Sequence, residues 1–77
     1  MPRFFFHVRD GETNYLDNEG SELSGVDAAI EEAVMDIRYI YHEMLLIGAL
    51  SGQWIEVVDE DGETVATIAF AEALRLN

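Results

Sequence analysis

The stretch that decides the fold runs from Val26 to Leu50 and reads VDAAIEEAVMDIRYIYHEMLLIGAL. Its apolar residues recur at spacings of three and four, which is the pattern of an amphipathic helix. Ser24 precedes the stretch as the predicted N-cap, and Ser51-Gly52 is typical of a helix end. The predicted core-facing stripe comprises Val26, Ile30, Ala33, Ile37, Tyr41, Met44 and Gly48, flanked by Val34, Ile40 and Leu45.

Short strands are predicted on both sides of this helix from alternating hydrophobicity and turn residues. The four predicted strands are Arg3–Arg9, Asn14–Asp17, Gln53–Val58 and Thr64–Phe70. Asp10-Gly11 and Asp59-Glu60-Asp61-Gly62 supply the turns of two hairpins. Ala71 to Leu74 is predicted to add a final helical turn.

The element order ββαββ predicts an α+β fold that forms a single domain over residues 1–77. We expect a two-layer structure in which a four-stranded, mostly antiparallel sheet has one long helix packed on one face. The preferred strand order, numbered along the chain, is 2-1-3-4. Phe4, Phe6 and Val8 are expected to face the helix, whereas Phe5 and Trp54 are expected on the other side of the sheet.

The composition excludes several classes of partner. The 77 residues carry 16 carboxylates, 4 arginines, no lysine and no cysteine, with a formal net charge of −12. Because four arginines cannot neutralise the phosphates of a nucleic acid or of an anionic membrane surface, we expect no nucleic-acid partner and no membrane partner. The longest apolar run, Met44 to Leu50, is far shorter than the ~20 residues of a membrane span, and we expect a cytoplasmic location.

A second apolar stripe lies on the outward side of the predicted helix. Its members are Met35, Tyr39, His42, Leu46 and Leu50. A chain of this size buries only about 60% of its surface, and without disulfides self-association is a common means of stabilisation. We therefore predict a homodimer through this helix face, with the uncovered face of the sheet as the alternative interface.

The topology predicts that seven carboxylates gather at one end of the molecule. They are Asp17, Glu19, Glu22, Asp59, Glu60, Asp61 and Glu63. Crowding of like charges there is expected to raise carboxyl pKa values, so that stability increases on mild acidification to about pH 5. The spacing does not fit an EF-hand loop, because Gly62 stands at the fourth position instead of the sixth. Weak binding of divalent cations by the whole acidic end stays open.

The residues give no basis for catalysis. His7 and His42 are the only imidazoles, and no serine is predicted beside a base that would activate it. The glycines are isolated at turns and ends, so no phosphate-binding loop is predicted. We predict no catalytic residue, no cofactor and no metal site, and hence a protein that is not an enzyme.

Two functions fit these expectations. The first is a small acidic self-associating protein–protein interaction or adaptor domain. The alternative is an acidic inhibitor or antitoxin-like protein that covers a basic partner such as a nuclease. The composition supports both, because each needs a soluble acidic surface and neither needs a catalytic group.

The opening segment Pro2-Arg3-Phe4-Phe5-Phe6-His7-Val8-Arg9-Asp10-Gly11 resembles the start of a family of small uncharacterised alphaproteobacterial proteins, a domain of unknown function. Further matching segments are Asp17–Leu23, Ala28-Ala29, Trp54–Val57, Asp59–Gly62 and Ile68–Phe70. The resemblance implies a stand-alone bacterial domain with no assigned activity, so no functional residue is transferred. A looser similarity, in size and acidity, is to antitoxins of the HicB type.

Overall fold

The computed structural model of the chain describes residues 1–11, 14–44 and 52–74. It has the predicted α+β fold, in which an antiparallel sheet carries one main helix. The elements in chain order are β1 (Arg3–Arg9), β2 (Asn14–Tyr15), β3 (Ser21–Glu22), α1 (Val26–Met44), β4 (Trp54–Val58), β5 (Thr64–Ala69) and α2 (Phe70–Leu74).

The strands lie in the order β2-β1-β4-β5, and every pairing is antiparallel. This confirms the predicted strand order. The longest strand, β1, pairs with β4 from Phe5 opposite Val58 to Arg9 opposite Trp54. The centre of the sheet therefore joins the first strand of the chain to a strand that follows the helix.

The edge beside β1 differs from the prediction, because the return strand is split into β2 and β3. Val8 pairs with Tyr15, and Phe4 pairs with Ser21. The return strand therefore advances by six residues over a distance in which β1 advances by four. The two extra residues belong to an irregular segment at 16–20. That segment contains Asp17, which we predicted as the last residue of a continuous strand. Its carboxylate replaces a backbone partner of β1, as shown below.

The core lies between α1 and the facing side of the sheet. Phe4 and Phe6 are 4% and 9% exposed, whereas Phe5 and Trp54 are half-buried, which confirms the predicted alternation. The buried side chains are Phe4, Phe6, Ala29, Ala33, Ile37, Ile55, Val57, Ile68, Phe70 and Ala73.

The buried face of α1 is centred on Ala29, Ala33 and Ile37, so the predicted stripe is wrong at its first residue. Val26 is 40% exposed, because side chains of a helix lean towards its N-terminus and Val26 has no preceding turn to cover it. The first helical bond runs from the Ala29 N–H to the Gly25 carbonyl, which makes Gly25 the N-cap instead of Ser24. The predicted extension of the helix to Leu50 lies outside the described residues.

The second hairpin forms at the predicted turn, and the final helix begins one residue earlier than predicted. The Asp59 N–H donates to the Glu63 carbonyl at 2.9 Å, and Gly62 adopts a φ of +84° in the turn. Phe70, predicted as the last strand residue, instead begins α2 and is 2% exposed. Its N–H still donates to the Gln53 carbonyl at 2.9 Å, so the β4–β5 ladder continues into the first residue of the helix.

Candidate functional site

The outward face of α1 is the predicted interface, and the structure describes two of its five members. Met35 is 66% exposed and Tyr39 is 69% exposed. His42 lies within α1, but its side chain is outside the described part of the chain, as are Leu46 and Leu50. Met35 and Tyr39 are four residues apart, so they are neighbours on the helix surface.

A shallow open depression adjoins Met35. Its volume is about 410 Å³, and its lining is apolar apart from one carboxylate, with Ile30, Glu31, Val34 and Met35 around it. Val34 also packs against the core. The apolar surface is thus continuous from the exposed side of α1 to the core.

The opposite face of the molecule, the uncovered side of the sheet, is less exposed. Phe5, Trp54 and Val58 are all half-buried there. Arg9 donates to one Glu56 oxygen from Nε at 3.2 Å and from a terminal nitrogen at 2.7 Å. Both side chains are about a quarter exposed, at 24% and 27%. An ion pair therefore lies within this face among the aromatic side chains.

The predicted acidic residues lie on both sides of the start of β1. Glu22 is opposite Arg3 on one edge, and the turn at 59–63 follows Val58, which is opposite Phe5 on the other edge. Arg3 donates to the Glu19 carbonyl at 2.9 Å and to Glu22 Oε2 at 3.2 Å. The acidic end thus contains a cation that its own glutamates bind.

At the turn between β4 and β5, Asp59 has a structural role. Its Oδ1 accepts hydrogen bonds from the Asp61 N–H and the Glu63 N–H, both at 2.9 Å. This arrangement is an Asx-type turn, in which the carboxylate orders the backbone that follows it. Glu60, Asp61 and Glu63 are exposed at the tip.

Asp17 uses both carboxylate oxygens to hold the edge of the sheet. Oδ2 accepts from the Phe6 N–H at 3.1 Å, and Oδ1 accepts from the Glu19 N–H at 3.1 Å and the Gly20 N–H at 3.0 Å. Burial raises the pKa of Asp17, but these three hydrogen bonds and the nearby His7 outweigh it, and the net pKa is lowered. The lowering is opposite to the raised pKa that we expected at the acidic end.

His7 completes the contact between β1 and the split edge strand. Its Nδ1 accepts a hydrogen bond from the Asp17 N–H at 3.1 Å. Nδ1 is therefore the unprotonated ring nitrogen in this arrangement. The side chains of His7 and Asp17 thus accept hydrogen bonds from backbone N–H groups of β1 and of the irregular segment at 16–20, where the ladder is interrupted.

Residues 3–71 match the sequence profile of a family described as Domain of unknown function (DUF6894). The chain belongs to the DUF6894 family. The matched range contains every strand, all of α1 and the first residues of α2. No curated protein and no solved structure matches the chain.

In this DUF6894 chain, one carboxyl on α1 has a strongly raised pKa. Burial, together with the charges of Glu32 and Asp17, raises the pKa of Asp36 to about 6. Asp36 follows Ala33 by three residues, which puts it at the margin of the buried face of α1. Sequence reasoning missed Asp36, although that spacing from a predicted core alanine was a usable signal.

A second depression of this DUF6894 domain lies at the end of the sheet opposite the acidic turn at 59–63. It has a volume of about 330 Å³ and is lined by Val8, Tyr15, Ile40, Gln53 and Phe70. Gln53 Oε1 is buried and has no hydrogen-bond partner among the described residues. The depression adjoins the C-terminal part of α1 through Ile40. Residues 45–51, which follow α1, are outside the described part of the chain.

The described part of this DUF6894 domain has neither a metal-binding cluster nor a membrane-spanning helix. Residues 1–11, 14–44 and 52–74 contain no group of three or more histidines and carboxylates that could hold a metal ion. Over the same ranges, no helix is both long enough and apolar enough to cross a membrane.

Proposed function

We propose that this DUF6894 protein is a small self-associating interaction or adaptor domain without catalytic activity, and that copies pair through the outward face of α1. One observation carries the proposal: Met35 and Tyr39, four residues apart, are both about two-thirds exposed at 66% and 69%. Large apolar side chains that adjoin one another on a small soluble domain are typical of an interaction surface.

The helix face is favoured over the uncovered sheet face by exposure. Phe5, Trp54 and Val58 are already half-buried within one chain, so a partner would remove less apolar surface from water there. The Arg9–Glu56 ion pair would also have to lose solvent on that face. Pairing through α1 buries Met35 and Tyr39 without burying an ion pair of the sheet.

A non-catalytic role is supported by how the acid–base groups are used. His7 Nδ1 and both Asp17 oxygens accept hydrogen bonds from backbone N–H groups of β1 and of the irregular segment. Groups engaged in this way stabilise the sheet edge and are not presented to a substrate. The chemistry at this edge is therefore structural.

The experiment is sedimentation of the wild type and of the double variant Met35→Glu/Tyr39→Glu at ~100 μM, a concentration at which weak homo-oligomers are populated. We expect the average mass of the double variant to fall below that of the wild type. Arg38→Glu is the matched control, because it changes the net charge by the same two units at an exposed position of α1. A double variant with the mass of the wild type, or a wild type that is monomeric, contradicts the helix interface.

The second candidate, an acidic cover for a basic partner, is favoured by the exposed carboxylates of Glu60, Asp61 and Glu63 at the hairpin tip. Electrostatic capture by this tip would have an association rate that falls steeply with salt, whereas apolar pairing of α1 would not. Association of the chain with the basic protein barnase, measured at about 20 mM and 300 mM salt, tests for this surface. Glu60→Gln/Asp61→Asn should slow that association if the tip contributes.

A further inference from the structure

The outer edge of β5 carries backbone groups that point away from the sheet. Among the described residues, β5 pairs with β4 on one side, and no strand pairs with its other side. The Phe70 N–H donates to the Gln53 carbonyl, and pairing continues with Ile55 opposite Ile68. Hydrogen-bonded and outward-directed residues alternate along an antiparallel ladder, so Ala69 and Thr67, on either side of Ile68, direct their N–H and C=O groups outwards.

Natural proteins usually protect such an edge with charge or proline, and β5 has neither. Its sequence is Thr64-Val65-Ala66-Thr67-Ile68-Ala69. A register shift between Val57 and Val58 marks a bulge near Val65, which leaves residues 66–69 as the regular part. Uncharged regular edges are templates for pairing with another strand.

The edge on the other side of the sheet shows the contrast. There, the Phe6 N–H is bound by the Asp17 carboxylate, and β2 and β3 occupy the two ends of β1. The chain thus satisfies one edge of its sheet internally, whereas the equivalent groups of Thr67 and Ala69 face outwards.

We propose that β5 is a second self-association site, at which it pairs antiparallel with β5 of another copy and Thr67 lies opposite itself. The site is separate from the outward face of α1 and does not depend on the helix pairing. Two surfaces that each join a chain to a copy of itself allow assembly to continue beyond a dimer.

Charge favours the antiparallel arrangement of the two copies over the parallel one. The acidic turn at 59–63 directly precedes β5, so parallel pairing would bring two acidic turns side by side. Antiparallel pairing puts the two turns at opposite ends of a strand that spans about 20 Å, which exceeds the screening length of ~8 Å at physiological salt. The strand itself carries no charge that would repel its copy.

Alternation requires outward-directed residues to oppose one another, so Thr67 can lie opposite either Thr67 or Ala69 of the other copy. The proposed register is the one centred on Thr67, which puts Ala69 opposite Val65 of the other copy, at the bulge. Ala66 then lies opposite Ile68 on the helix side of both sheets, where Ile68 is 7% exposed. Facing threonines on the other side are a favourable cross-strand pair.

Cysteine cross-linking tests this register, because the chain has no cysteine of its own. In the proposed pair, the two Thr67 Cα atoms are about 5.5 Å apart, within the range of a disulfide, whereas the two Thr64 Cα atoms are about 20 Å apart. Thr64 is exposed on the same strand, so Thr64→Cys is the matched control. We expect Thr67→Cys to form disulfide-linked dimers at least tenfold faster under mild oxidation. Equal rates, or a faster Thr64→Cys, would overturn the proposal.

A proline substitution tests the backbone pairing directly. Thr67→Pro removes an outward N–H and no hydrogen bond to β4, so the fold should persist, and thermal unfolding by circular dichroism checks that it does. Thr67→Ala is the control that keeps the N–H. We expect the folded proline variant to have a lower mass than the wild type, and Thr67→Ala to have the wild-type mass. A folded Thr67→Pro variant with unchanged mass would overturn the proposal.

Combining the two sets of variants separates this proposal from the helix pairing. Met35→Glu/Tyr39→Glu should leave dimers joined through β5, Thr67→Pro should leave dimers joined through α1, and all three substitutions together should give a monomer. A monomer from the helix variant alone overturns the β5 site and leaves the helix interface intact. A monomer from Thr67→Pro alone supports the β5 site and contradicts the helix interface.

Discussion

The Asp17 carboxylate takes the place of a strand partner for Phe6, accepting the Phe6 N–H at 3.1 Å where the edge strand is interrupted. A carboxylate satisfies a backbone donor more strongly than a neutral acceptor does. The interruption between β2 and β3 is thus a hydrogen-bonded feature of the sheet edge, and Asp17 is its central residue.

Asp17→Asn should destabilise the fold by about 1–3 kcal/mol, because an amide offers one acceptor oxygen where Asp17 uses both. Asp59→Asn is the matched control, since Asp59 uses Oδ1 alone for its two backbone contacts. Urea unfolding at pH 7 measures both. An equal loss in the two variants would show that the second oxygen of Asp17 is not required.

Asp17 also makes the stability of the fold depend on pH. The folded pKa of Asp17 is below its ordinary value of 3.8, so its stabilisation is fully present above the unfolded pKa. The stabilisation is lost as pH falls through the lowered folded value. We expect the urea midpoints of the wild type and Asp17→Asn to converge as the pH falls below the unfolded pKa and through the lowered folded one. A constant difference from pH 7 down to that range would contradict the lowered pKa.

Asp36 has the opposite effect on the pH dependence of stability. Its pKa is raised from 3.8 to about 6 in the folded state, so its charged form destabilises the fold above pH 6 and stability rises as pH falls through 6. Asp36→Asn should increase the free energy of unfolding by about 1–2 kcal/mol at pH 7.5, after allowance for its partial exposure, and change it little at pH 4. Glu31→Gln, an exposed carboxylate of the same helix, should have a much smaller effect at both pH values.

Gly20 should be intolerant of a side chain. Its φ is +72°, and an added Cβ would lie 2.8 Å from Phe5 Cε1 and 2.9 Å from the Phe4 carbonyl oxygen. Gly20→Ala combines left-handed strain with a clash against backbone, for an expected loss of about 2–4 kcal/mol. Gly11→Ala is the control, because Gly11 has a φ of +94° and no described atom lies within 4 Å of the added Cβ. Equal losses in thermal unfolding would mean that the contact with Phe5 is unimportant.

The alternation of buried and half-buried side chains along β1 can be tested by substitution. Phe6→Ala should cost about 3–5 kcal/mol, because Phe6 is 9% exposed within the core. Phe5→Ala should cost clearly less, because Phe5 is half-buried on the uncovered face. Chemical denaturation of both variants measures the difference, and equal values would contradict the assignment of faces.

The parts of the fold that the sequence predicted correctly depend on repeated local patterns. Alternation in β1 identifies Phe4 and Phe6 as core residues, and the turn residues at 59–62 identify the second hairpin. The strand order follows because hairpins pair neighbours and the crossover over α1 brings β4 beside β1. Each of these inferences uses several residues at once, so one atypical residue does not change it.

What the sequence did not predict depends on single side chains. The role of Asp17 follows from two extra residues in one edge strand, and no periodicity reveals such an insertion. The crowding at Asp36 needs the position of Asp17 as well as the helix face. For the predicted interface, the structure describes Met35 and Tyr39, whereas the side chains of His42, Leu46 and Leu50 lie outside the described part.

Pairing of β1 with β4 also has a consequence for how the protein is made. On the ribosome, β1 emerges before β4, which follows the whole of α1, so the Phe4-Phe5-Phe6 segment is made well before its partner on the β4 side. An apolar strand with one open edge is prone to aggregate during that interval. The helix that emerges before β4, α1, carries five carboxylates against one arginine, and this negative charge opposes contact between two nascent chains.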